Sequence, residues 1–190
     1  MAKLYVLDLT QISEEEPARW RSEMDDQSRL RVDAVANPER RRMSIVGDHL
    51  ARTALAEKSG KAPCEIIICR EENGKPYAAE GYFSISHSGE RVVCAVSESP
   101  VGVDVEQIRP LRAKVAQRYF TEKEREWMQE DDIRFWQIWT GKEALCKLTG
   151  EGIEGLRRRD VTHPPEGVVL TCTVRDGYVI SVAEAQFDIS

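Results

Sequence analysis

The sequence has no apolar run close to the roughly 20 residues that a membrane-spanning helix requires. It also has no opening stretch of the charged-then-apolar kind that marks a secretion signal. Met1-Ala2-Lys3-Leu4-Tyr5-Val6 passes straight into strand-like alternation. A basic surplus is missing too: Lys+Arg total 27 against 33 Asp+Glu, a formal net charge of −6 over 190 residues. General binding to nucleic acid or to an anionic membrane needs a basic footprint, so both are excluded as expected partners, and an anionic ligand must be met by a local basic pocket. The five cysteines are odd in number, and Cys64 and Cys69 are too far apart for a CxxC pair. Four of them stand in apolar strand or helix contexts, where a buried free thiol is expected, and the chain is expected to be reduced and cytoplasmic. A disordered composition is absent as well, since hydrophobic residues make up 41% and charged residues 32%, an ordinary globular mixture.

What is present alternates between the two periods of regular structure. Residues 3–9 read as a strand, and Ser13 with Glu16 and Pro17 reads as a capped helix start. Asn37-Pro38 starts a helix running to Gly60, with Met43, Val46, Leu50 and Ala54 on its core stripe. Glu65–Cys69 reads as a short apolar strand, followed by a turn at Asn73-Gly74. Two strands near 82–86 and 91–97 flank Ser86-His87-Ser88-Gly89. Ser99-Pro100 breaks the chain, and Val101–Glu106 is the next strand. Thr121 with Glu124 forms a second capping box, Ile133–Leu148 is a helix closed by Gly150, and 168–174 with 178–183 form a hairpin around Asp176-Gly177. Strand, helices and closing hairpin occur once before Pro100 and once after it. The predicted class is therefore α+β, with an N-terminal half over residues 1–100 and a C-terminal half over residues 101–190.

The chemistry gathers in the second half. In Val101-Gly102-Val103-Asp104-Val105-Glu106 a period of two sends both acids to one face, with Cα atoms roughly 6.5–7 Å apart. That spacing lets two carboxylates converge on one hard cation, with ligand bonds of about 2.0–2.1 Å for Mg²⁺. Gly102 on the same face is expected to leave room beside them. The bland alternative is an amphipathic edge strand with its polar face in water. Trp139, Glu143 and Lys147 are successive i,i+4 neighbours on one helix face. Glu143 and Lys147 alone would make an ordinary surface ion pair, but Trp139 in the same row implies that the face is partly covered. A glutamate and a lysine beside a metal are what phosphate chemistry needs, one completing the metal shell and the other neutralising a phosphate oxygen. Ser86-His87-Ser88-Gly89 suits an anion nest better than a nucleophile elbow. Gly74-Lys75-Pro76, taken alone, is an ordinary turn. Three carboxylates near one point repel, so at least one carboxyl pKa is expected to rise, and Asp104→Asn is expected to raise the melting temperature without metal.

Together these residues resemble the 4′-phosphopantetheinyl transferases, specifically the larger single-chain type that activates surfactin synthetase and similar enzymes. The resemblance rests on Gly74-Lys75-Pro76, Phe83-Ser84-Ile85-Ser86-His87-Ser88-Gly89, Gly102-Val103-Asp104-Val105-Glu106 with Pro110, and Trp139 to Lys147 (WTGKEALCK). Fainter likeness at Gly47-Asp48 and Arg52 extends it to about residues 40–155. The resemblance implies a pseudo-twofold chain of two similar α/β halves, monomeric as a pseudodimer, with coenzyme A in the cleft between them. It further implies transfer of the 4′-phosphopantetheine arm from coenzyme A to a serine of an acyl or peptidyl carrier protein, releasing 3′,5′-ADP. By the same resemblance Asp104, Glu106 and Glu143 are magnesium ligands, and Glu143 also relays the serine proton. Lys147 would hold the pyrophosphate, Ser86 and His87 would contact phosphates, and Lys75 with Pro76 would border the nucleotide.

The sequence departs from the family where a basic residue for the 3′-phosphate is usual. Met43 stands there, so Arg42 or Arg41 is expected to substitute, with Arg31 as a further contact. Ser28 replaces one of two N-terminal lysines found in some members. A metal-dependent nuclease or phosphodiesterase would use a similar acid set. Its usual strand signature has a lysine where this chain has Ile108, and the net charge opposes it. A non-catalytic carrier-binding module would be expected to have lost one of the three acids, and none is missing.

Overall fold

The structure is a computed structural model and describes residues 1–186. The chain opens with β1 (Lys3–Asp8), followed by α1 (Glu16–Glu23), α2 (Asp26–Asp33) and the long α3 (Pro38–Ser59). A small arm of β2 (Cys69–Arg70) and β3 (Pro76–Tyr77) precedes the hairpin of β4 (Tyr82–Ser88) and β5 (Arg91–Ser97). Then come β6 (Val101–Gln107), α4 (Ala113–Tyr119), α5 (Glu122–Met128), α6 (Asp132–Thr149), the single turn α7 (Gly152–Gly155), and the hairpin of β7 (Val168–Arg175) and β8 (Tyr178–Ala185). The α+β class follows directly.

Two three-stranded antiparallel sheets result, in the orders β1-β5-β4 and β6-β8-β7. In each, the opening strand pairs with the second strand of the closing hairpin. The first sheet packs on α3 around Val46, Ala51, Leu55, Phe83 and Val92. The second packs on α6, where Ala144, Leu145 and Leu148 meet Ala183. Between the sheets, Val93 and Ala95 of β5 cluster with Val101, Val103 and Val105 of β6. β6 is therefore the strand through which the two sheets meet; it lies at the edge of its own sheet, but Gly102 and Asp104 on its other face are buried, so that face is not in water.

Local signals set most boundaries. Asn37 accepts the Arg40 N–H at the start of α3, and Gly60 ends it at φ 74°. Thr121 and Glu124 form the full capping box of α5, and Gly150 closes α6 at φ 75°. Asp176 and Gly177 both adopt positive φ between β7 and β8, as a two-residue hairpin turn of this twist requires.

Three expectations change. Ser13 supplies only half of a capping box: its N–H donates to Glu16 Oε2 at 2.8 Å, while Glu15 is the N-cap and gives no side-chain cap. The segment at Glu65–Cys69 is not a strand until Cys69. Its carbonyls are taken by arginines: Ile66 O accepts from Arg52, and Ile68 O accepts from Arg31 at 3.3 Å. Only Cys94 and Cys146 are buried; Cys69 is half-buried, Cys64 and Cys172 are exposed, and all five are free.

Candidate functional site

Helix α6 lies on β6 closely enough that only glycine fits at position 102. A Cβ there would stand 2.0 Å from the Ala144 carbonyl oxygen and 2.5 Å from the Leu148 nitrogen. The space expected beside Gly102 is thus filled by helix backbone, and that contact brings Glu143 and Lys147 over the acids of β6. A buried pair fixes α6 from behind: Lys142 Nζ lies 2.8 Å from Glu124 Oε2, and both side chains have no exposed surface. Glu124 also takes the Thr121 and Val161 N–H groups, so the capping-box glutamate of α5 is the counter-ion of α6.

From the other side, β4 presents a row of hydroxyls. Ser84 Oγ accepts the Val103 N–H at 3.1 Å, Ser86 Oγ donates to Asp104 Oδ1 at 2.7 Å, and Ser88 Oγ donates to Glu106 Oε2 at 2.5 Å. Lys147 Nζ reaches the same Asp104 oxygen at 2.7 Å and Ser86 Oγ at 2.9 Å. Asp104 is buried, and its second oxygen, Oδ2, has no donor at all. An unpartnered buried carboxylate oxygen is costly and calls for a cation.

The charges register this crowding. Burial first, then repulsion from Asp104 and Glu106, pushes the Glu143 carboxyl from 4.5 up to about 7, against the opposing pull of Lys147. Burial and Asp104 also raise Glu106, while Ser88, Lys147 and Arg109 hold it down. The donor set of Asp104, Glu106 and Glu143 is all oxygen, which suits a hard cation such as Mg²⁺, and Asp104 Oδ2 is the atom most in need of one. As the side chains stand, no group of three His, Cys, Asp or Glu residues is drawn into a metal-ligating cluster among the described residues.

Two clefts open beside the acids and share Pro76 and Ile85. One, of about 320 Å³, is lined by Gly74, Lys75 and Pro76 and by Glu143, Cys146 and Lys147. The Lys75 ammonium donates to Leu148 O at 2.6 Å, capping the end of α6. The other, of about 280 Å³, holds Arg31, Arg70 and His87 around Met43 and Gly47. Burial and the positive Arg31 both lower the pKa of Arg70. Crowding by protein and the positive Lys147 lower that of His87, against Asp104. Arg42 is not in either cleft; it lines a neighbouring groove with Arg109 and Gly89 and donates to Ile12 O at 3.4 Å. Arg41 donates to Val35 O at 2.9 Å.

The structure therefore joins Asp104, Lys147 and Ser86 by hydrogen bonds, keeps Glu106 and Glu143 near enough for their charges to be felt, sets Lys75 and Pro76 at the rim, and separates Arg42 from Arg31 and His87. Ser86 is engaged with a carboxylate and an ammonium. Sequence reading missed Ser84 and Ser88 as members of the row, though their period of two with Ser86 was a usable signal. It also missed Arg70, which stands in the two-residue strand β2 and offered no signal.

Comparison with known proteins agrees with the motifs. Residues 100–186 match the model of the 4′-phosphopantetheinyl transferase superfamily. A 4′-phosphopantetheinyl transferase of Bacillus subtilis is 36% identical over 118 residues, covering 58% of this chain and 53% of that protein. The 4′-phosphopantetheinyl transferase Sfp of Bacillus subtilis (strain 168) is 28% identical over 150 residues, covering 75% and 67%. HetI of Nostoc sp., also a 4′-phosphopantetheinyl transferase, is 31% identical over 142 residues, covering 67% and 60%. The chain spans about half the length of the first curated relatives it matches.

Proposed function

We propose that this chain, a relative of the 4′-phosphopantetheinyl transferases, moves the 4′-phosphopantetheine arm of coenzyme A onto a serine of an acyl or peptidyl carrier protein. The observation that carries this is Lys147, which lines one cleft together with Glu143 and is hydrogen-bonded to a buried, half-satisfied Asp104. Asp104, Glu106 and Glu143 would hold Mg²⁺, which when bound offsets the charge that builds on the cleaved pyrophosphate. Lys147 supplies a fixed cation to the same oxygens. Glu143 is also the candidate to relay the serine proton; the rise of its carboxyl to about 7 belongs to the site without metal, because a bound cation would draw it down again. Arg31, Arg70 and His87 form the basic pocket that an acidic chain needs for the remaining phosphate, and Arg70 stands in for the basic residue missing at Met43. Lys75 borders the first cleft and Pro76 borders both.

The matching strand order of the two sheets supports a pseudo-twofold chain in which residues 1–100 and 101–190 are related halves, with the substrate between them. A monomer is expected on that plan. The test is incubation with coenzyme A, Mg²⁺ and a panel of apo carrier proteins, read by intact mass. One carrier should gain the mass of one phosphopantetheine arm in a Mg²⁺-dependent way. If no carrier gains it, the proposal fails.

A further inference from the structure

Asp104 is an uneven carboxylate. Its Oδ1 is held twice, by Ser86 at 2.7 Å and by Lys147 at 2.7 Å, while Oδ2 is buried without a partner. The two ends of the ion pair also differ in freedom, because the Lys147 side chain keeps 31% of its surface exposed and that of Asp104 only 7%. Lys147 lines the cleft that also holds Glu143 and Lys75, so its ammonium can swing toward an anion there while Asp104 stays on its strand. A lysine has three donors on a flexible stem. Two of them serve Asp104 and Ser86 in this arrangement.

We propose that Lys147 is a tethered counter-cation of Asp104, which competes with a divalent cation for that carboxylate and is drawn off it by a phosphate entering the cleft. The competition is electrostatic. A divalent ion bound through Oδ2 would lie within a few ångströms of an ammonium on Oδ1, and like charges at that distance oppose each other even through high dielectric. A phosphate oxygen offers the ammonium an alternative partner of the same sign as the carboxylate it leaves. Cation and phosphate therefore assist one another, and the site takes up its full charge set only when both are present. This coupling is reciprocal, as any linkage between two sites must be. The inference rests on the transferase reading and adds to it an order among the charges: Lys147 guards Asp104 first and serves the phosphate second.

The test is Mn²⁺ binding to the purified chain, followed by the paramagnetic signal of the free ion, in wild type and in Lys147→Met, which keeps the apolar stem and removes the charge. Without coenzyme A the variant should bind Mn²⁺ about tenfold more tightly, the order of effect expected for removing one nearby cation. The ratio of the Mn²⁺ Kd without coenzyme A to that with saturating coenzyme A should shrink in the variant by a similar factor. Lys147→Arg, which keeps the charge, should behave like wild type. Lys147→Gln replaces the Met variant if circular dichroism shows that the latter is unfolded. Equal or weaker Mn²⁺ binding by the folded uncharged variants overturns the inference. Carrier loading by wild type, measured separately, keeps the two readings apart: loading together with an unchanged Mn²⁺ Kd in the variants sinks the counter-cation alone, and a wild type that neither loads a carrier nor binds Mn²⁺ sinks both.

Discussion

Glu143 carries its proton to about pH 7 because it is buried beside Asp104 and Glu106. An acid whose folded pKa is raised binds more protons folded than unfolded, so its contribution to stability is fully present below pH 4.5 and is lost as pH rises through about 7. In EDTA, Glu143→Gln should remove that decline and exceed wild type at pH 8 by roughly 1–2 kcal/mol; with Mg²⁺ present it should abolish the proposed transfer. Urea unfolding at pH 5, 6 and 8 reads this, and equal slopes in the two proteins would place the titration elsewhere. The contact between Lys147 and Asp104 shifts to Glu143 the relief first expected from Asp104→Asn. That substitution should instead lower the melting temperature in EDTA by removing the ammonium's partner, at a cost of about 1 kcal/mol for a half-exposed lysine. Calorimetry of the folded variant decides it, and a higher melting temperature would mean that Lys147 does not pair with Asp104. Asp104 with Glu106, and Glu143 with Lys147, were legible because period two and period four put each pair on a single face. The hold of Lys147 on Asp104 was not, since it joins residues 43 positions apart and depends on how closely α6 approaches.

That approach is a property of two elements and one missing side chain. Gly102→Ala would drive a methyl group into the backbone of α6, with no flexible side chain to give way. It should cost about 3 kcal/mol or more and lift Glu143 and Lys147 off the acids, so chemical denaturation and Mn²⁺ affinity should fall together. Retained stability with intact metal binding would show that the helix can shift freely. Glu124→Ala leaves Lys142 buried without its counter-ion and should cost about 3–5 kcal/mol, readable as a lower urea midpoint. Elements whose ends are set by their own residues were legible: Asn37-Pro38, Thr121 with Glu124, Gly60, Gly150 and Asp176-Gly177 each act within a turn. Glu65–Cys69 was not, because arginines from α2 and α3 capture its carbonyls, and nothing local announces a partner 14 or 37 positions away. Serine and glycine were under-read for a related reason, since their weight here comes from what a neighbouring element places against them.

Across the whole molecule, the valine cluster of β5 and β6 makes the two sheets share apolar area, so they should unfold together. Trp20 reports on the first half, and Trp127, Trp136 and Trp139 report on the second. In Trp20→Phe, fluorescence follows only the second half while far-ultraviolet circular dichroism follows both, and coincident urea transitions are expected. Separated midpoints would show that the halves fold independently. The hydroxyl row of β4 adds a constraint of another kind. Ser86 and Ser88 meet Asp104 and Glu106 at a matching two-residue interval, and Ser84 holds the Val103 N–H beside them, so the alignment of the sheets is not continuously adjustable: the next matching position lies two residues on, roughly 6.5–7 Å away. The site behaves like a toothed coupling, in which a small loosening cannot gradually detune the acids. It either stays in mesh, with every carboxylate at its station, or skips a tooth and loses them all.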